Sequence, residues 1–248
     1  MHRAVSDAID DNNDRESRAH RGHTHRDVSG GWLRPAVFGA MDGLVSNVSL
    51  IAGIGGSGAK RHTIILTGMA GLVAGAFSMA TGEYTSVKSQ NESIDAEVAV
   101  EALELRRNPE DEVAELAASY EQRGVDAPTA MRVARQLSAD PDEALRMHSQ
   151  IELGVNPARL PSPWAAAASS LLFFSLGAIL PLLTYLAGVA SLAAALAVAG
   201  VSLFVAGAVT ARFTGRSTWF SGLRQLALGA LATAVTYLVG RLIGAQVS

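Results

Sequence analysis

Along this chain, long apolar runs alternate with polar segments on a coarse scale. Residues 35–59 hold one charged side chain, Asp42, while residues 63–82, 160–211 and 225–240 hold none. A helix needs roughly 20 mostly apolar residues to cross the hydrocarbon of a bilayer. The 160–211 stretch is long enough for two crossings and a turn. The pattern predicts five spans. Span 1 lies near Leu33–Gly56 and span 2 near Thr63–Val87. Span 3 lies near Trp164–Tyr185, with Pro181 inside it. Gly188 turns the chain into span 4, about Val189–Ala211, and span 5 lies between Trp219 and Ile243. Arg224 and Arg241 flank the short core of span 5 and can snorkel to the interfaces. A soluble domain of 248 residues has too little shell to bury five such helices.

The polar segments divide the rest. Residues 1–33 form a polar tail with His20, His23 and His25 among arginines, open to reading as a solvated tail or a metal-binding tract. It lacks the apolar core of a signal peptide. Residues 34–88 carry spans 1 and 2, residues 89–160 a helical insert, and residues 161–248 spans 3–5. The fold class expected is an all-α integral membrane protein: five transmembrane helices with a cytoplasmic helical domain between helices 2 and 3. The insert holds 15 acidic and 7 basic residues between Glu92 and Arg159. Its helix starts are marked by Asn108-Pro109, by Asp126 with Pro128, and by Asp140-Pro141. These give helices near 90–107, 109–123, 127–138 and 141–153. With no proline or glycine between Gly82 and Arg107, the first can continue span 2.

Orientation follows the arginines near span ends. Arg18, Arg21, Arg26 and Arg34 precede span 1, and Arg212, Arg216 and Arg224 lie between spans 4 and 5. Both groups fall on the insert's side, which places the N-terminus and the insert in the cytoplasm and the C-terminus outside. Lys60-Arg61, between spans 1 and 2, runs against this. The expected location is a multi-pass, bacterial-type plasma membrane. No cysteine is present, so disulfides, thiolate metal sites and lipidated cysteines are excluded. No HExxH, GxSxG or Walker motif suggests an enzyme, and no basic aromatic surface suggests nucleic acid.

An ionisable group inside a span is a functional hypothesis in itself. Asp42 is the sharpest case; its structural alternative is a buried pair with Lys88 or Arg34. Met79 and Glu83 are four apart and share a face of span 2. Carboxylate and thioether together suit a divalent transition metal. In the insert, Glu97, Glu101 and Glu104 share one face, as do Glu112 and Glu115, and as do His148 and Glu152. Three such helices can converge on a cation, or present solvated acidic faces. Gly68, Gly71 and Gly75 allow close packing of span 2, or a break that lines a cavity.

Four segments carry a resemblance. They are Gly39-Ala40-Met41-Asp42-Gly43-Leu44-Val45-Ser46; Ser78-Met79-Ala80-Thr81-Gly82-Glu83-Tyr84 with Ser86-Val87-Lys88-Ser89-Gln90; Glu115-Leu116-Ala117-Ala118-Ser119-Tyr120 with Arg123-Gly124-Val125; and Glu152-Leu153-Gly154-Val155. In this order the chain resembles the CCC1/VIT1 family of vacuolar iron transporters and their bacterial iron/manganese relatives, from about Trp32 to Ile243. The resemblance implies a five-span homodimer with a cytoplasmic metal-binding domain between spans 2 and 3. It implies export of Fe2+ or Mn2+ from the cytoplasm, coupled to inward protons, with no cofactor. Asp42 and Met79 fall on the family's translocation path, and Glu101, Glu104, Glu112 and Glu115 on its paired domain glutamates. Where the plant form has two methionines and a glutamate, this chain has His148, Ser149 and Glu152. That harder ligand set favours manganese more than the plant form does. A membrane-bound metal-binding or sensing protein without transport is the other class that fits.

Overall fold

In a computed structural model, which describes residues 31–247, the uncharged runs are helices. In chain order they are α1 (Leu33–Gly56), α2 (Arg61–Arg107), α3 (Pro109–Glu121), α4 (Ala127–Leu137), α5 (Pro141–Glu152), α6 (Pro163–Leu186), α7 (Leu192–Thr214) and α8 (Thr218–Val247). A 3-10 turn at Pro157–Arg159 leads into α6. No strand occurs among the described residues. Helices α1, α2, α6, α7 and α8 are long and apolar enough to cross a membrane. The histidines of the N-terminal tail lie outside the described residues.

Helix α1 is central and packs on α2, α6, α7 and α8. The reason is its glycines. A methyl group on Gly43 would strike the Phe174 carbonyl of α6, and one on Gly177 of α6 would strike the Ala40 carbonyl of α1. The two backbones therefore touch, as small residues permit where lipid offers no hydrophobic drive. Gly240 of α8 meets Gly53 in the same way. The glycines of α2 serve packing: Leu182, Leu50 and Phe174 fill the space above Gly68, Gly71 and Gly75. These contacts also fix direction. Gly39 meets Ser170 and Gly43 meets Phe174, so α1 and α6 run parallel. Gly68 meets Leu182 and Gly75 meets Phe174, so α2 runs against α6.

The bundle's outer surface is apolar. Leu66, Val73 and Phe77 of α2, and Leu231, Leu238 and Leu242 of α8, are exposed. A contiguous apolar exterior of this kind suits hydrocarbon rather than water. Inside, Asn47 of α1 is fully buried, and its Nδ2 donates to the Ala178 carbonyl. That carbonyl is next to the one Pro181 leaves without a helical donor. Arg61 at the start of α2 donates from Nε and Nη2 to the Tyr185 carbonyl, 3.0 and 2.7 Å away, at the end of α6. The arginine that breaks the charge pattern thus caps a helix C-terminus, where a cation is favoured.

Helix α2 is unbroken over 47 residues, roughly 70 Å. It carries Met79 and Glu83 within the bundle and Glu101 and Glu104 beyond it. Helices α3–α5 fold against that far end. Asp126 Oδ2 accepts from the Thr129 N–H at 2.9 Å, and Asp140 Oδ1 from the Asp142 N–H at 3.0 Å. Asn108 does not cap α3; its Nδ2 donates to Glu104 Oε2 at 3.0 Å instead, and its backbone N–H closes the end of α2. Leu116, Ala117, Ala130 and Ala134 form the insert's small core.

Candidate metal centre

Three of these helices aim acids at one point. Glu101 projects from α2, Glu112 from α3, and His148 and Glu152 from successive turns of α5. One ligand atom from each lies within 4.8 Å of all the others. His148 Nδ1 is 3.0 Å from Glu101 Oε1, 3.1 Å from Glu152 Oε1 and 3.4 Å from Glu112 Oε2. The imidazole is 1% exposed, Glu112 is buried, Glu101 is half-buried and Glu152 is the most open.

A ring nitrogen carries at most one proton, so it can donate to only one of the three carboxylates it faces. The Glu101 oxygen at this point and His148 Nε2 are both buried without a hydrogen-bond partner. Unpaired buried acceptors cost free energy, and gathered carboxylates repel. Burial, followed by the nearby Glu152, pushes Glu101 up to about 7, against the pull of His148. Burial likewise raises Glu112. A divalent ion at this point would partner the Glu101 oxygen and offset the repulsion among the carboxylates, though it would not reach His148 Nε2 on the other side of the ring. Bonds of about 2.1 Å place neighbouring ligand atoms roughly 3.0–3.4 Å apart, which is the spacing of the three carboxylates from His148 Nδ1, while the four atoms together lie within 4.8 Å. Three oxygens and one imidazole make a hard-to-borderline set suited to Mn2+, Fe2+ or Zn2+.

Glu104 and Glu115 stand outside this four-residue group. They are near enough to raise Glu112, and Glu115 also raises Glu101. Glu104 is held by Asn108.

In the bundle, Asp42 is partly buried, and the Ser46 hydroxyl donates to its Oδ1 at 3.2 Å. Neither cation named as its alternative partner reaches it. Arg34 pairs with Glu83 at 3.3 Å, and Lys88 with Glu92 at 3.3 Å. Gly39, Gly43 and Asn47 occupy the side of α1 that faces α6. Asp42 lies about 100° round the helix from Gly43, so it stands beside the stripe that packs on α6 rather than within it. Met79 packs towards α6, against Ala76, Phe174 and Ala178. Two residues escaped the sequence reading. Arg34 as the partner of Glu83 had no signal, because 49 positions separate them. Asn47 did have one, as an amide inside an apolar run.

Comparison with known proteins identifies the family of the chain. The sequence profile of the VIT family matches residues 33–241. A vacuolar iron transporter of Acanthamoeba castellanii is 40% identical over 232 residues, covering 88% of this chain and 82% of that protein. Vacuolar iron transporter homolog 1 of Oryza sativa is 36% identical, over 86% and 74% of the two chains. Vacuolar iron transporter 1 of Arabidopsis thaliana is 28% identical, over 89% and 90%. The chain is a multi-pass membrane protein that belongs to the VIT family.

Proposed function

We propose that the chain is a homodimeric transporter that exports Fe2+ or Mn2+ from the cytoplasm in exchange for protons entering the other way. The observation that carries this reading is the convergence of Glu101, Glu112, Glu152 and His148 on one point, Glu101 standing on the same helix that carries Met79 and Glu83. The relatives' names support metal as the cargo. The insert, residues 89–160, gathers the cation on the cytoplasmic side. Met79 lies 22 residues before Glu101, roughly 33 Å along α2. The two sites therefore act in sequence, capture first and passage second. Asp42 meets its counterpart across the proposed dimer, where two carboxylates would hold a cation and release it on protonation. Export from a bacterial-type cell would cross the plasma membrane, where the relatives named above are vacuolar by name.

Flux of Fe2+ and Mn2+ into proteoliposomes, with a pH probe inside, tests the reading. Metal entry with counterflow of protons is expected; tight binding without flux would make the chain a binder only. Sidedness is tested in the native cysteine-free background. Asp126→Cys and Ser217→Cys should label from the cytoplasm, and Ala190→Cys, in the α6–α7 turn, from outside. Labelling of all three from one side would overturn the orientation.

A further inference from the structure

Where α1 and α2 meet at the insert end of the bundle, the two members of an ion pair differ sharply in burial. Arg34 Nη2 lies 3.3 Å from Glu83 Oε2, yet the Arg34 side chain is 78% exposed and that of Glu83 only 10%. The pair borders a cavity of about 530 Å3, also lined by Ser86, Gln90 and Pro161. Arg34 sits in the first turn of α1. A cation there opposes the helix dipole. Neither an acidic residue in that turn nor a side-chain cap offsets it. Its compensation is Glu83. From Glu83, Met79 is one turn deeper on α2, and from Arg34, Asp42 is about two turns deeper on α1.

The asymmetry decides which member is fixed. An exposed guanidinium re-enters water at little loss. A carboxylate walled by protein cannot follow it into water and favours a cation beside it. Glu83 is thus a standing cation position, and Arg34 is the exchangeable occupant. We propose that Arg34 is a tethered counter-cation that holds Glu83 closed at the mouth of the path until a divalent metal displaces it. This rests on the transport reading above. Metal at Glu83 carries twice the charge of the guanidinium and frees Arg34 into the cavity and solvent. Arg34 thereby sets how much metal is needed for entry, and it keeps Glu83 neutralised when none is bound.

The test uses the full chain in proteoliposomes, with Mn2+ supplied on the insert side over a concentration series. Removing a competitor that occupies Glu83 about four-fifths of the time should lower the half-saturating Mn2+ about fivefold in Arg34→Gln. Arg34→Lys should stay near wild type. Free guanidinium should compete with Mn2+ in Arg34→Gln and much less in wild type, because only the variant leaves the position open. An unchanged half-saturation in Arg34→Gln overturns the proposal. So does a loss of flux that Arg34→Lys restores with no change in half-saturation, which would make the pair a structural clamp. Wild-type half-saturation in Glu83→Gln ends the use of Glu83 as a path ligand. If wild type carries no flux, the transport reading falls. The same variants read as Mn2+ binding then decide Arg34: tighter binding in Arg34→Gln keeps the assignment, and equal binding ends it.

Discussion

Asp42→Ala is expected to reduce Fe2+ and Mn2+ flux below about 1% of wild type while leaving metal capture by the insert intact. Residues 35–59 hold no other charge, and the Ser46 hydroxyl steadies the Asp42 carboxylate at 3.2 Å. A carboxylate in a low-dielectric span is expensive, and a passing cation is its natural compensation. Removing one partner of a buried charge pair costs about 3–5 kcal/mol, a factor of roughly a hundred or more in rate or affinity. Glu83 stands on another helix, paired with Arg34 where α1 begins, so it is not a replacement for a carboxylate within α1. Met79→Ala should be milder, and should slow iron more than manganese, because a thioether favours the softer ion. Flux of both metals would be measured on protein whose insertion is confirmed by labelling. Full flux through a correctly inserted Asp42→Ala chain would remove Asp42 from the path.

Much of this arrangement could be read from local spacing, and the exceptions have local causes. Span 1 was legible to its ends because charge and glycine bound the apolar run on both sides. Span 4 begins three residues later than hydropathy suggests, at Leu192, because the Ser191 hydroxyl caps it by accepting from the Ala194 N–H. The starts at Asp126 and Asp140 follow from an acid one or two residues before a proline. The same signature failed as a cap at Asn108, whose side chain turns back to Glu104 across the end of α2. For the metal centre, helical periodicity named the faces but not the meeting point. Glu101, Glu112 and His148 converge because α3 and α4 pack through Ala130 and Ala134 and bring α5 against α2. That packing is tertiary, so no spacing within one helix could have separated Glu101 from Glu104 or Glu112 from Glu115. The Arg34–Glu83 pair was hidden for the same reason: it joins two helices across a sequence gap.

The double variant Glu101→Gln/Glu112→Gln is expected to weaken Mn2+ binding at the insert by more than a hundredfold, and each single variant by about tenfold or more. Each change removes a charged ligand and leaves an amide that competes poorly, with charge-assisted contacts of this kind worth about 1.5–3 kcal/mol. The pH dependence separates this from a mere loss of packing. In the folded chain Glu101 titrates near 7, against 4.5 for an unburied glutamate. Metal needs the ionised form, so binding should weaken as pH falls through about 7 and should release a proton near pH 6 that is not released near pH 8.5. Linkage fixes the sign for the metal-free insert. A carboxyl whose folded-state pKa is raised binds more protons in the native state between 4.5 and about 7. Its contribution to stability is therefore full below 4.5 and is lost as pH rises through about 7. Bound metal should restore the docking of α3 and α5 on α2 at the alkaline end. Titration calorimetry of the full chain in buffers of differing ionisation enthalpy measures both affinity and proton release. Glu101→Gln should flatten the pH profile as well as lower the affinity. An affinity loss with the acid-side slope unchanged would assign the released proton to another group, and unchanged binding in the double variant would return these glutamates to the status of a solvated helical face.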